Sequence, residues 1–277
     1  MSETTFPRVA VLGGGGTIGT TVIGAMRGAG WPAEQIVAAG RSEERLAPVA
    51  AQFGVETTTS AADAVVGADV VVTSVKPQDM RALLAQIADA VSPAALVLTV
   101  AAALPSSFYE DLLTDGTAVV RSMPNTPARL GKGATSISAG AYATEEHLAL
   151  AERILAGTGL VVRVDEEQIP GVSVVSGSGP AFFYAVAEAM AAAGMANGLD
   201  RELAEALAAQ TLIGAGALLE QSGESPAELR AKVSSKGGTT LAALAAMGAA
   251  GLQDVISAGA NAAVARSKEL GEELQRG

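Results

Sequence analysis

The chain has 277 residues, 49% of them hydrophobic but only 3% aromatic, and a formal net charge of −11 at pH 7. This acidity disfavours nucleic acid and anionic membranes as partners, and the absence of cysteine excludes disulfides, thiolate metal sites and a cysteine nucleophile. Met1 to Pro7 is polar and lacks a basic segment followed by an apolar one, so no signal peptide is expected. No uncharged apolar run has the length and bulk of a membrane span, and the expectation is a soluble, cytoplasmic protein without a metal. A core so poor in aromatics must be built from Ala, Val, Leu and Ile, which favours packed helices and a parallel sheet.

Arg8 to Leu12 is a short apolar run ending directly in glycines, the pattern of a buried strand. Gly13 to Gly19 follows, then helical spacing from Thr20 to Gly28. Gly14, Gly16 and Gly19 fit G-x-G-x-x-G in the strand–turn–helix context of a dinucleotide pyrophosphate site. Four consecutive glycines also fit a structural turn. Gln35 to Gly40 reads as the second strand, whose end selects the cofactor. An acidic residue there would accept from the ribose 2′-hydroxyl of NAD. The chain instead has Arg41 and Ser42, with Arg45 one turn later. Two guanidiniums and a hydroxyl suit a 2′-phosphate and hence NADPH, with NADH as the alternative cofactor. The competing reading is a pair of ordinary exposed arginines beside Glu43 and Glu44.

Gly54 to Glu56, Ala68 to Val75, Leu96 to Val100 and Thr117 to Ser122 read as further strands, separated by helical segments such as Asp79 to Ala90. The alternation predicts a doubly wound α/β sheet. Ligands bind at the carboxyl ends of such strands, where Gly14 to Gly19, Lys76-Pro77, Ala101 to Ala103 and Met123 to Pro127 all fall.

After Val161 to Asp165 the pattern changes, and from about residue 172 only helices are expected. Ser176 to Pro180 opens one, with proline in the first turn. Asp200 caps a long helix through Glu220, closed by Ser222-Gly223. Ser225-Pro226-Ala227-Glu228 is a capping box, and Leu241 to about Leu270 reads as one helix. The expected organisation is a nucleotide-binding domain over 1–168 and an all-α domain over 169–277. The helical part has little core of its own, so burial against a second copy, as an intertwined dimer, is predicted.

Ser234-Ser235-Lys236-Gly237-Gly238-Thr239-Thr240 precedes that last helix. Adjacent glycines open the backbone to a ligand, and hydroxyls and N–H groups at a helix start make an anion cup suited to a carboxylate. A plain glycine turn with Thr239 or Thr240 as N-cap is the alternative. His147, the only histidine, reads as a surface residue at a helix start.

The ordered motifs Val75-Lys76-Pro77-Gln78, Met123-Pro124-Asn125-Thr126-Pro127, Ser176-Gly177-Ser178-Gly179-Pro180-Ala181, Ala208-Ala209-Gln210-Thr211 and Gly237-Gly238-Thr239-Thr240 span most of the chain. In them the sequence resembles the pyrroline-5-carboxylate reductase family. The resemblance implies a Rossmann-like domain followed by a helical dimerisation domain. It also implies NADPH-dependent reduction of 1-pyrroline-5-carboxylate to L-proline, by homodimers that assemble into larger rings. It places the substrate carboxylate on Ser235, Gly238 and Thr239, and gives the Thr240 hydroxyl the catalytic contact to the ring nitrogen. It places the cofactor on Gly14, Gly16, Thr17, Ile18, Gly19, Arg41, Ser42, Ser60, Val75, Lys76 and Pro77, with the nicotinamide near Ala101, Ala102, Pro124 and Asn125. The chain departs from the family pattern at Thr17-Ile18 (commonly Asn-Met), at the additional Gly13, at Ser60 (often Asn), at Ala103 (Gly) and at Lys236 (Pro). Two other readings accommodate these departures: a reductase of a related cyclic imine, and a catalytically silent dinucleotide binder.

Overall fold

The computed structural model describes residues 6–276. Eight strands form one sheet: β1 (Val9–Leu12), β2 (Ile36–Ala39), β3 (Glu56–Thr58), β4 (Val70–Thr73), β5 (Leu96–Thr99), β6 (Ala118–Met123), β7 (Gly133–Ala139) and β8 (Gly159–Arg163). Their order is β3-β2-β1-β4-β5-β6-β7-β8. β1 lies parallel between β2 and β4, with Val9 opposite both Ile36 and Val70. This is the point where the strand order reverses and where an open sheet of this kind binds its ligand.

Helices cover both faces: α1 (Thr17–Gly28), α2 (Glu43–Phe53), α3 (Ala61–Val65), α4 (Pro77–Ile87), α5 (Ser106–Glu110) and α6 (Glu145–Leu155). Alternate residues of each strand point to opposite faces, so the sheet divides the core in two. Val9, Val11, Val70, Val72, Leu96 and Leu98 pack with Val22, Ile23 and Met26 of α1. Ala10, Leu12, Val71 and Val97 pack with Met80, Leu84 and Ile87 of α4. Each of the Val, Leu, Ile and Met side chains contributes about 1.5–3 kcal/mol by leaving water. The predicted doubly wound arrangement is present.

β7 was not anticipated. It carries Thr135, Ser136 and Ser138, all buried, so it lacks the apolar run that marks its neighbours. It pairs antiparallel to β6 and parallel to β8, and every other pairing in the sheet is parallel. His147 is the third residue of α6, where its Nδ1 accepts from the Thr144 N–H at 3.0 Å. It is a capping residue with a definite partner.

Among the described residues, 6–177 together with 264–276 form one compact unit, and Ser178–Ala263 form a second. The first retains α7 (Ile169–Val172) and the π-type turn Ser173–Gly177, because Ile169 and Val174 are buried and Asn125 Nδ2 donates to Ser176 O at 2.9 Å. These residues lie beyond position 168, the expected end of the first domain.

The remaining helices are α8 (Gly179–Ala196), α9 (Arg201–Ser222), α10 (Pro226–Lys232), α11 (Thr239–Ala249) and α12 (Leu252–Arg276), the end of the last belonging to the first unit. The expected terminators hold. Asp200 Oδ1 accepts from Leu203 N at 2.8 Å, Gly223 closes α9 at φ +67°, and Ser225 and Glu228 form the reciprocal capping box. The single helix expected over Leu241–Leu270 is instead two, broken by Gly251 at φ +82°. A left-handed glycine just past Ala250 is the usual device for stopping a helix. The segments Glu166–Ala196 and Arg201–Ser222 are each long and apolar enough to cross a membrane by length and composition, even though charged residues interrupt them.

Candidate functional site

At the carboxyl end of β1, the N–H groups of Gly13 and Gly14 both donate to Ala39 O at 2.9 Å, locking the glycine loop onto β2. Gly13 has φ +86°, and a β-carbon there would lie 2.9 Å from the Ser74 backbone. The additional glycine is therefore required by the close approach of the segment after β4, whose Ser74 Oγ donates to Leu12 O at 2.7 Å. A β-carbon on Gly19 would lie 2.5 Å from Gly13 O, so α1 can start this close to the strand only with glycine at that place.

Gly16 occupies the N-cap position of α1, without a capping side chain, and the first turn contains no acidic residue. The N–H groups of Thr17, Ile18 and Gly19 belong to that first turn, where the helix itself supplies no acceptor and the dipole favours an anion. The loop suits a pyrophosphate: its glycines carry no side chains, and the first turn of α1 holds no acidic residue to oppose an anion. Replacing the family's Asn-Met by Thr17-Ile18 changes side chains only, and the first-turn amides remain.

The second strand delivers Arg41 and Ser42 to the same edge. Ser42 is the N-cap residue of α2. Arg41 is exposed, with Nη1 3.8 Å from Asp79 Oδ2, and Arg45 Nη2 donates to Gly15 O at 3.4 Å. Ser60 caps α3, its Oγ accepting from Asp63 N at 3.2 Å. Half-buried Val75 packs on the α4 side of the sheet, and Lys76 and Pro77 are the N-cap and first residue of α4.

Beyond β5, Ala101 is buried and Ala102 exposed. The Ala101 N–H donates to Thr99 Oγ1 at 3.3 Å, and that hydroxyl donates to the buried Tyr109 OH at 2.6 Å. Burial pushes the Tyr109 phenol up to about 12, against the hydrogen bond from Thr99 and the charge of Arg121, so it stays neutral. Pro124 is half-buried beside Asn125. Both ends of the Asn125 amide are engaged, Nδ2 with Ser176 O and Oδ1 with Ala134 N, each at 2.9 Å. That side chain joins three segments of its own unit.

In the second unit, Gly238 is the N-cap residue of α11 and makes no side-chain cap bond. Neither Thr239 nor Thr240 takes that place; they are the first two helical residues, and both are exposed. Gly237 has φ +77°. The Gly238 N–H donates to Ser235 O at 2.9 Å, and a β-carbon on Gly238 would lie 2.6 Å from Ser235 Oγ. Ser235, Gly238, Thr239 and Thr240 are thus gathered at one helix start with no acidic residue in its first turn, and Lys236 is exposed beside them.

One group near the first unit's loops is carried by no sequence motif. Arg121 Nη1 and Glu166 Oε1 form an ion pair at 2.8 Å, and Ser106 donates to Glu166 through both its N–H and its hydroxyl. These residues lie 45 and 60 positions from Glu166, so no local spacing signals them. Burial tends to raise the Glu166 carboxyl, but the Ser106 and Arg121 hydrogen bonds outweigh it and hold the group below its usual value.

A family model described as pyrroline-5-carboxylate reductase dimerisation matches residues 166–270, and one described as NADP oxidoreductase coenzyme F420-dependent matches 8–103. The pyrroline-5-carboxylate reductase of Pseudomonas aeruginosa is 41% identical over 97% of this chain and 98% of its own length. Pyrroline-5-carboxylate reductase 1 of Bacillus subtilis is 34% identical over 97% of this chain and 91% of its own. Among solved structures, a pyrroline-5-carboxylate reductase from Coxiella burnetii superimposes with a TM-score of 0.90 at 32% identity, covering 96% of this chain and 99% of that one. The Plasmodium falciparum pyrroline carboxylate reductase with NADP bound shares the fold, with a TM-score of 0.80 at 23% identity over 96% of this chain and 98% of its own. The glycine loop, the helical second unit and likeness along nearly the whole length agree, and the chain belongs to the pyrroline-5-carboxylate reductase family.

Proposed function

We propose that the chain reduces 1-pyrroline-5-carboxylate to L-proline, drawing its hydride from NADPH in preference to NADH. The observation that carries this reading is near-full-length identity of 41% to a relative named for that reaction. Residues 1–168 serve the nucleotide, and 169–277 serve the substrate and a second copy of the chain.

The reduced nicotinamide supplies the hydride. The chain's part is to bind and align, since a protonated cyclic imine is already electrophilic at C5. The backbone of Gly14, Gly16, Thr17, Ile18 and Gly19 holds the pyrophosphate. Arg41 and Ser42 take the 2′-phosphate, Arg41 giving up its loose contact with Asp79 to do so. Ser60, Val75, Lys76 and Pro77 border the adenosine half, and Ala101, Ala102, Pro124 and Asn125 border the nicotinamide. Ser235, Gly238 and Thr239 hold the substrate carboxylate at the positive end of α11. Thr240, whose hydroxyl is not used as a helix cap, contacts the ring nitrogen and is the catalytic residue. The exposed apolar helices serve a homodimer within a larger ring, and the protein works in the cytoplasm away from membranes.

The test is loss of reduced-nicotinamide absorbance on adding pyrroline-5-carboxylate, with NADPH and NADH side by side. Turnover favouring NADPH is expected. Turnover favouring NADH would keep the reaction and discard the phosphate role of Arg41 and Ser42. No turnover with either would refute the proposed substrate.

A further inference from the structure

The loop from Ala101 to Pro105 is pinned at both ends by buried polar groups. At its start the Ala101 N–H is held by Thr99 Oγ1, which is itself bonded to Tyr109, and Ser122 Oγ donates to Thr99 O at 2.8 Å. At its end Ser106 gives its N–H, at 2.9 Å, and its hydroxyl to Glu166. The same carboxylate receives Arg121, whose side chain is only 11% exposed. Arg121 lies on β6 two residues before Met123, and Glu166 lies just before α7. One carboxylate therefore ties together the end of the loop, β6 and the segment entering α7.

Between these anchors Ala103 is held at φ +71°, the only non-glycine residue at positive φ among the described residues. That conformation crowds a β-carbon against its own backbone, and it persists where the surroundings over-determine it. Gly271 of α12, which is buried, backs the loop: a β-carbon there would lie 3.0 Å from Ala103 O.

We infer that Glu166 is a positioning residue for the nicotinamide. By clamping Ser106 and Arg121, it holds Ala101–Ala103 in the strained shape against which the nicotinamide half of the cofactor rests. This depends on the proposed contact of Ala101 and Ala102 with that ring. The adenine half lies on the glycine loop and the end of β2, which make no bond to Glu166 in the structure. Loss of the clamp should therefore weaken one half of the dinucleotide and spare the other.

The test compares two ligands by calorimetry on the full chain: NADPH and 2′,5′-ADP, which carries only the phosphorylated adenine half. In Glu166→Gln the NADPH Kd should rise about 10-fold, the scale of one charge-assisted hydrogen bond, with the 2′,5′-ADP Kd unchanged. Adding Ala103→Gly, which needs no clamp to adopt positive φ, should restore much of the NADPH affinity. Parallel weakening of both ligands, no weakening of NADPH, or failure of the glycine to rescue would overturn the inference. If Glu166→Gln does not fold, Ser106→Ala removes one clamp bond and should raise only the NADPH Kd, roughly 3-fold; an unchanged Kd there would equally overturn it. Wild-type chain that binds both ligands yet fails to reduce pyrroline-5-carboxylate would count against the substrate alone. Wild-type chain that binds neither would remove the cofactor reading, and this inference with it.

Discussion

The two units bury hydrophobic residues in opposite ways. The first closes a sheet between two helical layers and hides side chains as large as Trp31, Tyr109, Leu98 and Ile87. In the second, the buried residues clustered as a core are Ala191, Ala204 and Ala208, with Met195 partly buried beside them. Phe183, Leu207, Ile213, Leu218 and Val255 stay exposed, Ile213 at 63%. A helix bundle centred on three alanines gains little from its own burial, since a methyl contributes far less than a leucine side chain. The second unit thus leaves most of its large apolar side chains without a core of their own, which is what the proposed homodimer would cover. The dimerisation model falls on this region.

The sharpest way to break that contrast is to charge the exposed face. Leu207→Asp combined with Ile213→Asp places two carboxylates where apolar surface should meet its partner, and unpaired charges at such a contact are very costly. Sedimentation velocity should then show monomer where the wild type is expected to be a dimer or a ring of dimers. Leu98→Ala in the first unit should cost about 2–5 kcal/mol of stability through its cavity while leaving the association of folded chains intact. A dimer that survives both aspartates would mean that the second unit joins its partner through some other face.

The same contrast explains what could be read from the sequence. β1, β2, β4 and β5 are buried along their whole length and β6 over most of its own, so they announce themselves as apolar runs. β7 is buried too, but its Thr135, Ser136 and Ser138 read as loop, because periodicity sees polarity and not the buried setting. The caps at Asp200 and Ser225 were legible because they are made within a few residues. The break at Gly251 was not, since one glycine among many in an Ala/Gly-rich stretch carries no distinct signal and its positive φ is a property of the fold. The site divides likewise: the glycine loop and the α11 start are contiguous motifs, whereas the Arg121–Glu166–Ser106 cluster exists only after β6, β8 and α5 have assembled.

A smaller effect separates chemistry from architecture within the second unit. Thr240→Ala removes a hydroxyl that the helix does not use as a cap, so the melting temperature should stay put. If that hydroxyl contacts the ring nitrogen, kcat/KM for the imine should fall about 10- to 100-fold, the worth of a hydrogen bond to a charged group. The opposite pattern, lower stability with unchanged kcat/KM, would make Thr240 a helix-start residue and nothing more.

Ser225→Ala should give the smallest change and the reverse sign of evidence. Ser225 Oγ accepts from the Glu228 N–H at 3.3 Å, and the Ser225 N–H donates to Glu228 Oε2 at 2.8 Å. α10 has seven residues and buries none of them. A helix that short is marginal without its caps, and losing this one costs about 1 kcal/mol. Because α10 contributes no core, that cost should be local: faster amide exchange across 227–232, with global melting and dimer mass unchanged. If the melting temperature instead falls by as much as it does for Leu98→Ala, then α10 is buried in the dimer, and the covered surface reaches further along the second unit than α8 and α9.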